Sequence, residues 1–233
     1  MKIGIIGAMS VEVEALKACL EDAYVSEISG IEFYSGKLYG VDVVVAKCGI
    51  GKVFAAVCAQ TMIVRFGVTH LINTGVGGAL SDGLTTLDVA IADGVVQHDM
   101  DTSPIGDPVG LISGINKIVL PTSESMRATA IEAAKELCIK CESGIIASGD
   151  QFIADIEKKQ QIRQRFSAIC CEMEGAAIGH VCYINNVECL IIRCISDSAS
   201  GEATMEYPEM VKHAAVISQK LTEKILLLFS RKK

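Results

Sequence analysis

The sequence has 233 residues, half of them hydrophobic and 21% charged, with a formal net charge of −7. That length and composition suit one packed domain and exclude a disordered chain. No basic face is visible, which argues against a nucleic-acid partner, and no apolar run reaches the roughly 18 to 20 residues a membrane span needs.

Lys2–Gly7 (KIGIIG) reads as a buried opening strand, followed by helical spacing over Val11–Asp22. The opening apolar run is short and two glutamates follow at once, so it is no signal peptide, and a cytoplasmic protein is expected. Ile31–Tyr39 and Val41–Lys47 form a hairpin pattern around Gly40, and Lys52–Phe66 is helical. His70–Thr74 is a strand leading into a predicted glycine turn, GVGG at 75–78, and Asp88–Asp93 is another strand. Residues 97–114 turn polar, with Pro104 and Pro108, and read as a long loop of the kind that carries function.

Ser123–Cys138 is helical, with Ser123 or Ser125 as its cap. Gly144–Ser148 is a strand, Ile156–Phe166 a polar helix, Ala168–Cys171 a strand and Glu174–Ile184 a helix. Cys189–Ile195 is a strand, and Tyr207–Ser230 is a long closing helix before a solvated Arg-Lys-Lys tail at 231–233. This alternation predicts an α/β fold: one domain over 1–233, with a mixed, mostly parallel central sheet and helices on both faces.

Several motifs carry less than they suggest. GIGK at 49–52 lacks the glycine at 46 and the Ser or Thr at 53 of a phosphate loop; the chain has Ala46 and Val53. The ten cysteines lie mostly in apolar runs, where a reduced thiol behaves as a small hydrophobe. Cys138 and Cys141 have no second pair at zinc spacing, and His98, Asp99 and Asp101 match no strong metal geometry, so no metal is expected and the latter group is read as ordering its loop. His180 reads as a satisfied core histidine.

The strand ends are more informative. In an α/β sheet, ligands bind beyond the carboxyl ends of the strands. Glycine or polar turns follow the predicted strands here, and Glu12, Glu174 and Asp197 project from that rim. Glu172 and Glu174 sit in the otherwise apolar stretch AICCEMEGAAIGH, where an uncompensated carboxylate is costly.

In order along the chain stand IGIIGAM with Glu12, CGIGK at 48–52, INTG and its glycines at 72–78, HD-x-D at 98–101, SGD-x-FI at 148–153, EMEG-x-A at 172–177 and ISD at 195–197. Together they closely resemble the 5′-methylthioadenosine/S-adenosylhomocysteine nucleosidases, a group within the purine nucleoside phosphorylase/hydrolase family, over nearly the whole chain.

The resemblance implies hydrolysis of an adenine–ribose bond without a cofactor, in a homodimer. It implies Asp197 as the acid that protonates adenine at N7, with Ser196 in support, and Glu12 as the base that aims water. It places Glu174 on the ribose hydroxyls, Met173 on the sugar, Phe152 stacked on adenine and the Ile153 backbone on its edge. Met9 and Ile50 would line the ribose and alkylthio region, and Val76 and Gly77 the glycine segment beside it. Glu172, also counted with the substrate-binding set, points the other way by strand alternation, with Arg193 as a candidate partner.

The chain has no arginine before Arg65, and Glu12 in the N-terminal turn repels phosphate, so water is the expected nucleophile. Val76 stands where the family usually has a small or hydroxyl residue. Ile105 and Asp107 stand where aromatics often complete the alkylthio pocket across a dimer interface. A sibling specificity for 5′-deoxyadenosine or futalosine, a purine nucleoside phosphorylase and a non-catalytic nucleoside-binding protein stay open as alternatives.

Overall fold

Short runs rich in Val and Ile suit the pleated, half-buried surface of a sheet, and those of this chain become its strands. The computed structural model describes residues 1–199 and 207–231. Lys232 and Lys233 of the basic tail lie outside the described residues.

The first half runs β1 (Lys2–Gly7), α1 (Ser10–Ala18), β2 (Glu21–Ile28), β3 (Ile31–Leu38), β4 (Val41–Lys47), α2 (Lys52–Phe66), β5 (His70–Ala79) and β6 (Val89–Gln97). After a 3-10 turn at Ser103–Ile105 come β7 (Leu120–Pro121), α3 (Glu124–Glu136), β8 (Cys141–Ser148), α4 (Ile156–Phe166), β9 (Ala168–Glu172), α5 (Gly175–Asn185), β10 (Glu188–Asp197) and α6 (Tyr207–Arg231).

β4, β1, β5 and β10 form a parallel core, and β6, β8 and β9 form a second parallel set. The sets join antiparallel where β6 meets β10 and β9 meets β5. These contacts close a ring of five strands, β5–β10–β6–β8–β9, from which β1, β4, β3 and β2 extend as an open wing. At the β5–β9 junction Gly78 faces Cys171, so two strands that run toward each other bring their carboxyl ends to one corner.

Helices cover both faces. α2 and α5 pack on one side around Ala55, Cys58, Met62, Ile178 and Cys182. On the other side α1, α3 and α6 pack around Leu16, Met126, Ala130, Leu221 and Ile225. Burial on this scale is the dominant stabilising term. Ser123 caps α3 by accepting from the Met126 N–H, and Asp155 caps α4 by accepting from the Lys158 N–H. All ten cysteines carry free thiols.

Two local expectations give way, and one short element is added. The first helix ends at Ala18 and not Asp22, because Glu21–Ile28 pairs antiparallel with β3 as an exposed edge strand. The GVGG segment is no turn: β5 continues through it to Ala79, held by β10 and β9. Leu120–Pro121 adds a short strand on β6, with Pro121 opposite Gly94.

Candidate active site

The carboxyl ends of β1, β5, β8, β9 and β10 surround one cavity, which with its open mouth encloses about 630 Å³. Every residue the sequence marks for the site lines it: Met9, Glu12 and Ile50; Val76 and Gly77; Phe152 and Ile153; Glu172, Met173 and Glu174; Ser196 and Asp197. Gly78, Gln151 and Cys171 complete much of the wall.

Glu12 is fixed by the start of its own helix. As the third residue of α1 its carboxylate turns back, and one oxygen accepts from the N–H groups of Ala8 (2.7 Å) and Met9 (2.9 Å). The other accepts from the Val76 N–H (3.2 Å), across from β5. Burial raises its proton affinity above the ordinary glutamate range, although those N–H donors and the charge of Arg193 pull it down. The result is an aimed carboxylate that is a stronger base than a surface glutamate.

This placement explains the glycine segment. A Cβ on Gly75 would lie 2.7 Å from the Glu12 Oε1, and one on Gly78 would lie 3.0 Å from the Asp197 Oδ2. Both carboxylates therefore rest against bare backbone of β5. Val76 contributes its N–H, which any residue but proline supplies at that position, so the missing side-chain hydroxyl leaves Glu12 anchored.

Glu172 and Glu174 leave the end of β9 differently. Glu172 lies against the cavity, yet its oxygens are committed to the protein: they accept from Arg193, from the Ser148 hydroxyl, and from the N–H groups of Glu174 (3.1 Å) and Gly175 (2.7 Å). Arg193 is buried, and Asn73 also accepts from its guanidinium. Glu174 is less provided for. It accepts from the Gly51 N–H at the start of α2 (2.8 Å) and stands 3.8 Å from Arg193. Burial, then repulsion from Glu172, pushes it up to about 7 against the pull of Arg193. The GIGK segment thus aims its amides at carboxylates: Lys52 N–H likewise donates to Asp150 (2.7 Å).

At the end of β10, Asp197 accepts from the Ser196 hydroxyl (2.9 Å) through one oxygen. The other pairs with Lys159 at 2.6 Å. The Lys159 side chain is 3% exposed and its ammonium also donates to the Ser198 carbonyl (2.9 Å). The sequence reading missed this lysine. A signal was present: α4 buries Ile162 and Phe166, and Lys159 falls on the same stripe, three and seven residues away.

The remaining wall is apolar and open. Phe152 is 63% exposed and Ile50 58%, whereas Ile153 is buried. Asp99 orders the flanking loop by pairing with Lys52 (2.7 Å) and accepting from the Asp150 N–H (2.9 Å). Asp101 accepts from the Ser103 N–H, and Asp107 from the Thr102 hydroxyl. His180 Nδ1 meets the Gln97 amide at 3.2 Å. Among the described residues no group of three or more His, Cys, Asp or Glu side chains is placed to hold a metal ion, and no helix is long and apolar enough to cross a membrane.

Known proteins resemble this chain in sequence and in fold. The sequence model of the phosphorylase superfamily matches residues 2–227. The chain is 41% identical over 218 residues to an aminodeoxyfutalosine nucleosidase of Campylobacter jejuni, covering 94% of this chain and 95% of that one. It is 38% identical over 219 residues to a 5′-methylthioadenosine/S-adenosylhomocysteine nucleosidase of Shewanella frigidimarina, with the same coverage of 94% and 95%. The crystal structure of a Campylobacter jejuni 5′-methylthioadenosine/S-adenosylhomocysteine nucleosidase superposes with a TM-score of 0.92 at 40% identity, over 97% of this chain and 99% of that one.

Proposed function

The chain belongs to the phosphorylase superfamily, and from that premise we propose that it is an N-ribosyl hydrolase acting on 5′-methylthioadenosine and S-adenosylhomocysteine, releasing adenine and the 5-substituted ribose. It works in the cytoplasm as a homodimer, without a cofactor.

The observation that carries this reading is the charge of the cavity wall. Its ionisable side chains are acids, Glu12, Glu172, Glu174 and Asp197, together with the thiol of Cys171. Among the described lining residues there is no lysine or arginine, and Arg193 is already bound to Glu172 and Asn73. A phosphate nucleophile needs cationic, bidentate donors. Water needs a base, and Glu12 is aimed by three backbone amides.

The chemistry follows from the positions. Glu12 takes a proton from water as the water oxygen bonds to C1′ of the ribose. The bond from C1′ to N9 breaks through an oxocarbenium-like centre, and its electron pair passes to adenine, which receives a proton at N7 from Asp197. Glycines 75 and 78, on which the two carboxylates rest, are three strand residues apart, about 10 Å, leaving room for both nucleoside and water. Glu174 accepts from the ribose hydroxyls, and its negative charge steadies the cationic sugar. Met173 packs on the sugar, Phe152 stacks on the base and the Ile153 backbone reads the base edge.

The test is adenine release from methylthioadenosine in phosphate-free buffer, then with phosphate added. Phosphate-independent release with free methylthioribose is expected. Release only with phosphate would make the protein a phosphorylase; binding without turnover would make it a nucleoside-binding protein. The 41% identity to an aminodeoxyfutalosine nucleosidase supports a second substrate at the same site, so aminodeoxyfutalosine and 5′-deoxyadenosine belong in the same assay.

A further inference from the structure

A lysine on the inward stripe of α4 needs a reason. Burying an ammonium is costly unless it is paired, and both its neighbours on that stripe, Ile162 and Phe166, are apolar. The partners of Lys159 are Asp197 and the Ser198 carbonyl, so its position is matched to the group proposed to protonate adenine. That pairing also poses a problem. A carboxylate held by an ammonium at 2.6 Å has no proton of its own to give.

We propose that Lys159 and Asp197 act as one unit carrying a single transferable proton, which rests on Lys159 in the free protein and reaches adenine through the Asp197 carboxyl. This rests on the nucleosidase reading above. The step balances. As the N9 bond breaks, Lys159 gives its proton to the Asp197 oxygen it holds and that carboxyl passes the proton to N7, leaving neutral adenine, a carboxylate again and a neutral amine. Glu12 has meanwhile gained a proton from water, and exchange with solvent after product release resets both ends. Lys159 is a positioning residue, since it acts on the substrate through Asp197.

Few other groups compete for that proton among the described residues. From β9, which α4 packs against, Cys171 faces the pair and Cys170 lies on the other face of the strand; burial pushes Cys171 up to about 12 and Cys170 well above the ordinary range, so both stay neutral thiols. Glu172 lies next along that strand and is spent on Arg193. β8, the other strand under α4, turns the Ser148 hydroxyl to Glu172, and its Glu142 carboxylate accepts from Ser81. On α4 itself Asp155 is the cap, Lys158 bonds Gln151 and Arg163 pairs with Asp82; Glu157 stands in the first turn. From β10, Ser196 donates to the other Asp197 oxygen.

The sign of the pH effect decides the matter. With Lys159 present, the ammonium 2.6 Å from Asp197 is the store of the proton that adenine receives. With Lys159→Met, Asp197 keeps a proton only while its own carboxyl is protonated, so the alkaline limb of kcat/KM for methylthioadenosine moves to lower pH. Lys159→Arg preserves the contact and the charge but holds its proton permanently. The measurement is the pH profile of kcat/KM for the wild type and both variants, with melting temperature as the folding control. Near pH 8 Lys159→Met is expected to lose about 100-fold, recovering to within about threefold near pH 5, the size of one general-acid contribution. Lys159→Arg is expected to fall by at least about 100-fold at both pH values.

A limb that is unmoved or shifted upward in Lys159→Met, or a wild-type profile in Lys159→Arg, would overturn the assignment of Lys159 while leaving the enzyme's function standing. A uniform loss at all pH values would do the same, by marking a structural role. Absence of adenine release by the wild type itself would instead overturn the nucleosidase reading, and this proposal with it.

Discussion

Glu172 and Glu174 are two residues apart, equally acidic in sequence and both buried, yet their neighbours give them different work. Glu172 has a guanidinium, a hydroxyl and two amides. Such a fully partnered buried ion holds structure, and removing one partner of such a pair costs about 3 to 5 kcal/mol. Glu174 has one amide at hydrogen-bond distance and a like charge nearby. Its folded state therefore favours the protonated form, and the linkage has a definite sign. The stability it contributes is full below the ordinary glutamate value of 4.5 and is lost as pH rises through about 7. Glu174→Gln removes that liability. The variant should match the wild type in stability near the acid end and exceed it by about 3 kcal/mol at alkaline pH, read from denaturation at each pH. Its kcat/KM should meanwhile fall about 100-fold, because the amide gives the cationic sugar no charge. A Glu174→Gln variant that is less stable than wild type at alkaline pH would show that the carboxylate is satisfied by the protein and not held for a ligand.

At the scale of elements, β5 connects the two ends of the chemistry. Its glycines make room for Glu12 near one position and Asp197 near another, and its partner strands keep the backbone extended there. Gly75→Ala would place a methyl 2.7 Å from the Glu12 oxygen and force the carboxylate off its three amides. Turnover should fall about 100-fold and the melting temperature should drop, because a buried carboxylate loses its amides, with adenine affinity little changed, because Asp197 and the residues proposed to hold adenine sit elsewhere. Wild-type turnover in Gly75→Ala would mean that Glu12 needs no such anchoring.

The same strand shows what is readable from sequence. A run of glycines signals either a turn or close approach, and periodicity alone does not separate them; only the ladders with β9 and β10, distant in sequence, keep the segment extended. Glu21–Ile28 was missed for a related reason. An exposed edge strand has little apolar alternation, and its strand state comes from pairing with β3. The helices and central strands were legible because their apolar spacing is local, helped by side-chain caps at α3 and α4. Most of the site was legible because its residues directly follow strand ends. Lys159 was not picked out, since it enters from the side of a helix eleven residues past the strand end at Ser148, in a stretch of polar residues.

On the scale of the whole molecule, the cavity is finished on its inner sides and open on its outer one. Ile50 and Phe152 line it and remain more than half exposed, and at the start of α2 Val53 is 75% exposed and Phe54 54%. Val57, one turn further, is 38% exposed, and Ile105, in the loop beside the site, 81%. The buried side of α2, at Ala55, Cys58, Ala59 and Met62, already packs on its own core, so this second apolar side of the helix has no cover among the described residues. Apolar surface of this kind, beside a ligand cavity, is what a protein partner covers, and a second copy of the chain is the occupant proposed here. Covering it would also wall off the mouth of the cavity at the 5′ end of the nucleoside. The wild type should then elute at twice the chain mass, with a melting temperature that rises with protein concentration. Val53→Asp, which puts a charge on that side without touching the inner cavity, should elute at the chain mass. Its KM for methylthioadenosine should rise at least about tenfold, the worth of one lost apolar contact at the 5′ substituent, with a smaller effect on kcat because Glu12 and Asp197 are held within one chain. If Val53→Asp keeps the wild-type mass and KM, this side of α2 faces solvent and the cavity is complete without a partner.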